Sequence, residues 1–367
     1  MPAFARFRRH VRSAVTSLES MSTEAPKIFC VVVTYWCISI SLVFANKYLV
    51  GNNDSEHDVS LFVAWIQCIV TVLFIFSIKA VKAFIKQDSS LLHVDLKGAV
   101  NPQIMMLTCT YVGMLTFNNL CLRNVGIAFY QVARSLTLIF VVIMSLLILK
   151  KQVSWRIWAC CLTVAGGFVL GVDQENLSGT LSISGVFFGV ITSLFVSLNG
   201  IFTKKALDVV ERDSVQLTLL NNLNAMLLFV PFLVGTGQIN TVLQVPQFHT
   251  SLFWGCLVIT GVLAFSIAWI SAVQIDLTSP VTHHISANSK AVLQTVIAVV
   301  YSHDHKPILW WFSVLLVVAG ALAYAVVRIH EEKISKMAAV SKMADAETGS
   351  GEKLLQNGHI NGSAKPV

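Results

Sequence analysis

Carboxylates are missing from the places in this chain where a membrane protein would need them to move protons or sodium. All 19 acidic residues fall in loops, tails or helix ends, with Asp276 the nearest exception. Charge of either sign is sparse, at 12% of residues, roughly half the share of a soluble domain. Cysteine is present but never in a Cys-x-x-Cys pair. All eight cysteines (30, 37, 68, 109, 121, 160, 161 and 256) lie inside apolar runs, which argues for free thiols against a zinc site or a disulfide framework. The N-terminal stretch "MPAFARFRRHVRSAVTSLES" has no apolar core, so it is not a cleavable signal peptide. Its arginines and serines also fit a transit peptide, but insertion through the first apolar run is simpler. No Gly-x-x-x-x-Gly-Lys-Ser/Thr loop exists to cradle a nucleotide phosphate.

What the chain has is apolar length. Hydrophobic residues make up 55% of 367, and a membrane helix needs about 20 in a row. Runs bounded by charge or turn residues predict ten helices, at roughly 28–49, 59–81, 103–122, 126–149, 155–172, 181–203, 214–236, 251–275, 280–301 and 308–328. The formal charge of +7 is spread over short loops and tails, a topology signal and not a nucleic-acid surface. With the N-terminus inside, 21 of the 26 Lys and Arg residues fall on the inner side, and only Lys47, Arg123 and Lys306 on the outer. Both termini are therefore expected in the cytosol. The polar tail 331–367 is expected to be disordered. Sequons begin at Asn53, Asn176 and Asn361; the last is on the cytosolic side, and the first two sit close to the membrane.

"GIAFYQVARSLTLIFVVI" from Gly126 aligns with "SPVTHHISANSKAVLQTV" from Ser279 at an offset of 153 residues, and "FANKYL" near Lys47 resembles "IFTKKAL" near Lys204. A five-helix repeat is odd, so its second copy enters the membrane upside down. The chain is thus expected to be an all-α integral membrane protein of ten transmembrane helices in two inverted repeats, 28–172 and 181–328, after a cytosolic tail 1–27. Such repeats mark transporters, with the substrate site near the midplane.

Arg134 and Lys290 are the two cations left inside helices, where a Lys costs about 2.5–3.5 kcal/mol on an insertion scale. His283, Ala287, Lys290 and Gln294 form one stripe, with Ser286 beside it; Tyr130, Arg134 and Thr137 form the matching stripe in the fourth helix. Both could snorkel or pair locally, yet neither lies near a helix end. Two buried cations without acids fit an anionic substrate. Arg serves phosphate through a bidentate fork and Lys as a point charge. An empty carrier would have to move both charges unpaired, so obligate anion exchange is expected.

Asn221 and Asn222 lie deep in an apolar span, and Asn118 and Asn119 form a second pair. Buried amides often serve as helix–helix glue. An amide pair also matches the lactam edge of guanine, which both accepts and donates. Adjacent histidines such as His283 and His284 point about 100° apart on a helix and make a poor metal site. Gly167-x-x-x-Gly171 and Gly185-x-x-x-Gly189 are close-packing motifs.

In "MLTFNNLCLRNVGIAFYQVARSLTLIF", "LLNNLNA" and "LTSPVTHHISANSKAVLQTV" the chain resembles the nucleotide-sugar transporters of the drug/metabolite transporter superfamily. That resemblance implies ten helices, cytosolic termini, a Golgi membrane, and exchange of a cytosolic GDP-sugar for lumenal GMP, with no cofactor. GDP-mannose carriers of this kind use Phe-Tyr-Asn-Asn for guanine. Here the stretch is Leu219, Leu220, Asn221, Asn222, so the amides persist without the aromatic. Their Gly-Ala-Leu-Asn-Lys motif is matched only at Ala287 and Lys290, which favours GDP-fucose over GDP-mannose as cargo.

The expected pocket comprises Lys290 and Arg134 on phosphate, Asn221 and Asn222 on guanine, and Tyr130, His283, Ser286, Ala287, Asn118 and Asn119 around them. Lys47 and Lys204, pseudo-equivalent at helix ends, are candidates for gating or entry. A carrier for another nucleotide sugar or a phosphorylated metabolite is the alternative. A membrane-embedded enzyme is disfavoured, since only His303, Asp304 and His305 resemble a catalytic cluster. A homodimer is as compatible with the sequence as a monomer, because lipid-facing and subunit-facing apolar surfaces look alike.

Overall fold

The computed structural model describes residues 2–51, 58–86, 96, 98–150, 153–179, 181–277, 280–302, 306–331 and 334. Side chains are described from residue 26 onward, except at 51, 149, 246, 247, 272, 275, 276 and 280–285. Every regular element among them is helical. In chain order these are α1 (Pro2–Gly51), α2 (Ser60–Lys86), α3 (Pro102–Asn124), α4 (Ile127–Arg134), α5 (Thr137–Leu149), α6 (Trp155–Leu177), α7 (Ile183–Leu207), α8 (Ser214–Thr236), α9 (Gln238–Gln244), a 3-10 turn Pro246–His249, α10 (Ser251–Leu277), α11 (Pro280–Ser302) and α12 (Ile308–Glu331).

Nine of the described helical segments are long and apolar enough to cross a membrane, with α1 contributing Pro26–Val50 and α4–α5 counting as one. The tenth expected span is α11. At 23 residues it reaches about 35 Å, but its polar stripe dilutes its hydropathy. The protein is a multi-pass membrane protein.

Helix boundaries follow from caps. Asn101 accepts from the Gln103 N–H ahead of Pro102 at the start of α3, and Asp213 accepts from the Val215 and Gln216 N–H groups at the start of α8. Gly237, at φ +67°, ends α8 in the left-handed conformation. The fourth expected helix is broken: Ser135 and Leu136 form a turn between α4 and α5, with tightened bonds such as Leu138 N–H to the Ser135 carbonyl, 3.1 Å. Ser193 of α7 donates to the Ala133 carbonyl at that break, 3.0 Å.

The main core sits at one end. It draws on the last turns of α1 (Leu49, Val50), the first of α2 (Leu61 to Ala64), the end of α3, most of α4, and Trp310 at the start of α12. Call this the far end; the other, with Lys86, Lys204 and Lys205, is the basic end. Polar groups reinforce the far end. Gln238 Oε1 caps α2 by accepting from the Leu61 and Phe62 N–H groups, both 3.0 Å. Asn119 donates to the Ser60 carbonyl. At the basic end the described core divides into small separate clusters. A cleft of about 1140 Å³ opens there between α2, α8 and α10, lined by residues including Phe74, Lys79, Lys82, Gln216 and Trp269.

The glycine motifs pack as expected. A Cβ on Gly189 would lie 2.8 Å from Ala133 Cβ, and one on Gly167 would lie 2.8 Å from Val317 Cγ2 and 2.9 Å from the Ser313 carbonyl oxygen. Gly167→Ala must therefore push α12 off α6 and is expected to cost about 1–3 kcal/mol. Gly166→Ala meets no atom within 4 Å and should leave stability unchanged. Thermal midpoints in detergent check the pair.

Candidate functional site

α11 presents Ser286 and Lys290 to a strip of α1. Lys290 Nζ donates to Ser39 Oγ at 2.5 Å and stands 5.6 Å from the centroid of the Tyr35 ring, a cation–π contact. One turn earlier, Trp36 Nε1 donates to Ser286 Oγ at 2.9 Å. Tyr35, Trp36 and Ser39 share a helix face by their spacing of three and four. None was among the expected site residues, although Tyr35 and Ser39, four apart inside an apolar run, carry the same signal as the stripe on α11.

Arg134 closes α4 just before the break. Its Nη1 donates to Tyr130 Oη at 2.9 Å, and Tyr130 Oη donates to Asn118 Oδ1 at 2.6 Å, a relay from cation to amide across α4 and α3. Arg134 is exposed, yet its partner Tyr130 is 1% exposed, and α4, which carries both, packs on α11. Among the described residues neither cation pairs with a carboxylate; the ion pairs lie elsewhere, at Arg123–Asp58, Arg212–Asp208 and Lys306–Glu175. The structure thus brings Arg134, Lys290, Tyr130, Asn118 and Ser286 into one neighbourhood, with Ala287 half-buried on the same helix.

Other candidates lie apart from it. Asn221 accepts from Thr108 Oγ1 at 3.1 Å. Asn222 accepts from Tyr111 Oη at 3.3 Å and donates to the Thr218 carbonyl at 2.8 Å. Both amides bind α8 to α3. Asn119 ties α3 to α2, as above. Lys47 caps α3: its Nζ donates to the Leu122 and Val125 carbonyls at 2.6 and 2.8 Å, satisfying acceptors a helix end leaves open. Lys204 is exposed at the end of α7. The side chain of His283, the cluster His303, Asp304 and His305, the sequon at Asn53 and most of the tail 331–367 lie outside the described residues.

Lys306 lies outside the helices, just ahead of α12, and Glu175 belongs to the last turn of α6 and is 4% exposed. Lys306 Nζ donates to Glu175 Oε1 at 2.8 Å, and Trp310 Nε1 donates to the same oxygen at 3.0 Å. Glu175 is helical because the α6 pattern runs on past Val172 to a turn at Ser178–Gly179, not ending at the first acid.

Helices that span a membrane many times around two interior cations held by neutral groups define a polytopic membrane protein with a basic centre. The chain belongs to the Triose-phosphate Transporter family, whose pattern matches residues 26–339. It is similar to a Nematostella vectensis protein named GDP-fucose transporter 1, 43% identical over 88% of this chain and 96% of that one. The Mus musculus protein of the same name is 40% identical over 87% and 91%. A Drosophila melanogaster protein named "GDP-fucose transporter, Golgi" is 37% identical over 82% and 90%.

Proposed function

We propose that the protein is a Golgi antiporter that imports GDP-fucose into the lumen in exchange for GMP, with both termini in the cytosol. The observation that carries this reading is the Arg134–Lys290 centre. One cation comes from each half of the chain, each is held by a hydroxyl, and together they match a diphosphate. The names of the relatives supply the fucose and the Golgi. The packing pattern supports the two inverted repeats, 28–172 and 181–328: α3 lies on α7 as α10 lies on α1, and α2 on α10 as α8 on α3.

With the basic end cytosolic by its lysines, the main core lies on the lumenal side and the cleft between α2, α8 and α10 on the cytosolic side. Guanine at Asn221 and Asn222 would exchange the bonds from Thr108 and Tyr111 for its lactam edge. Tyr130 and Asn118 position Arg134, and Lys47 holds the lumenal end of α3.

The test is exchange in proteoliposomes preloaded with GMP, across GDP-fucose, GDP-mannose, UDP-sugars and CMP-linked sugars. GDP-fucose uptake that requires internal GMP is expected. Equal uptake into vesicles without a counter-substrate would overturn the exchange mechanism, and preference for a UDP-sugar would overturn the cargo.

A further inference from the structure

Gln294 is a polar residue of α11 that this reading leaves unused. It stands four residues after Lys290 on the same stripe, about 6 Å further towards the far end. It is 0% exposed, and among the described residues neither Nε2 nor Oε1 has a hydrogen-bond partner. Nearly all buried polar groups are paired, and one left alone calls for a reason. Its neighbour Thr295 shows the ordinary solution, donating to the Ala291 carbonyl at 2.9 Å. Packing does not account for Gln294, since Leu or Met fills such a place without the cost of two orphaned polar atoms.

We propose that Gln294 is the residue that reads the sugar of the transported nucleotide sugar, engaging its hydroxyls when the far end opens. The proposal rests on the transport reading above. With the phosphates on Lys290 and Arg134, the group linked beyond them falls within a turn of α11, where Gln294 stands. A carboxamide both donates and accepts, and so matches a pair of neighbouring hydroxyls, each of which can do either. Ala298, one turn further, already belongs to the far-end core. Gln294 therefore occupies the border between the cationic centre and that core, the place a sugar must pass to leave.

The experiment is exchange by full-length Gln294→Met in GMP-loaded proteoliposomes, with half-saturating concentrations measured for external GDP-fucose and external GMP. Two neutral hydrogen bonds are at stake, so the value for GDP-fucose should rise about tenfold or more while that for GMP stays within about twofold. Gln294→Asn, which keeps the amide one methylene short, should give a smaller loss confined to GDP-fucose. The ligand-free thermal midpoint of Gln294→Met should hold or rise, because two unpaired polar atoms are removed, while its shift by GDP-fucose shrinks and its shift by GMP persists. An equal loss for both ligands, no change for either, or a slower maximal rate with both half-saturating concentrations unchanged would overturn the proposal, the last marking Gln294 as part of the core alone. Failure of the transport reading is distinct: wild-type protein would then exchange neither ligand.

Discussion

Lys290→Ala is expected to abolish exchange while leaving the protein inserted and folded. The side chain has no carboxylate partner among the described residues; its ammonium rests on one hydroxyl and one ring face. Removing it takes away one of the two charges that answer the diphosphate. Deleting one member of a buried, hydrogen-bonded charge pair typically costs 2–5 kcal/mol or more, so affinity should fall by roughly thirty- to several-thousandfold. Stability moves the other way. A lysine inside the bilayer is costed at about 2.5–3.5 kcal/mol on an insertion scale, and alanine removes that burden, leaving Ser39 free to bond its own helix carbonyl. The expected result is normal membrane yield and an equal or higher thermal midpoint, with exchange reduced to background. Lys290→Arg should retain partial exchange, because the charge survives but its shape does not. Undiminished exchange by Lys290→Ala would remove the basic centre from the mechanism.

That centre was half legible in the sequence. A charged residue inside an apolar run stands out in a single chain, and the 153-residue offset already paired Arg134 with the stripe of Lys290. The α1 strip was harder to see. Tyr35, Trp36 and Ser39 are ordinary residues of an apolar helix until α11 lies against them, and nothing local says that Ser39 will accept from Lys290. Lys47 shows the reverse difficulty. Its charge drew a gating role, but nothing local says that it caps α3 through the Leu122 and Val125 carbonyls, 75 and 78 residues away in the chain. Nine of the spans were readable because hydropathy records them directly, while the polar stripe of α11 dilutes the signal of the tenth. The break at Ser135–Leu136 was not, since neither residue is a helix breaker. It is held by a partner from another element, Ser193.

Disabling the Glu175–Lys306 pair is expected to have the largest effect on stability. Both side chains are nearly sealed, at 5% and 8% exposure. The carboxylate also accepts from Trp310, and Lys306 lies 5.6 Å from the centroid of that ring. Glu175→Ala leaves the ammonium buried without its counter-charge and the indole N–H without its acceptor, so a loss of about 3–5 kcal/mol is expected. The nearby Gly171 and Gly167 contacts hold α6 close against Ser313 and Val317 of α12. Adding Lys306→Met should recover much of that loss, because an apolar pair in place of a buried ion pair is often neutral or better. Thermal midpoints of the two single variants and the double variant, compared as a cycle, measure the coupling. Exchange per folded molecule should keep its half-saturating GDP-fucose concentration in all three, since the pair clamps the ends of α6 and α12 while Lys290 and Arg134 sit on α11 and α4. If the double variant were as unstable as Glu175→Ala, the defect would lie in the lost Glu175–Trp310 contact and not in the stranded charge.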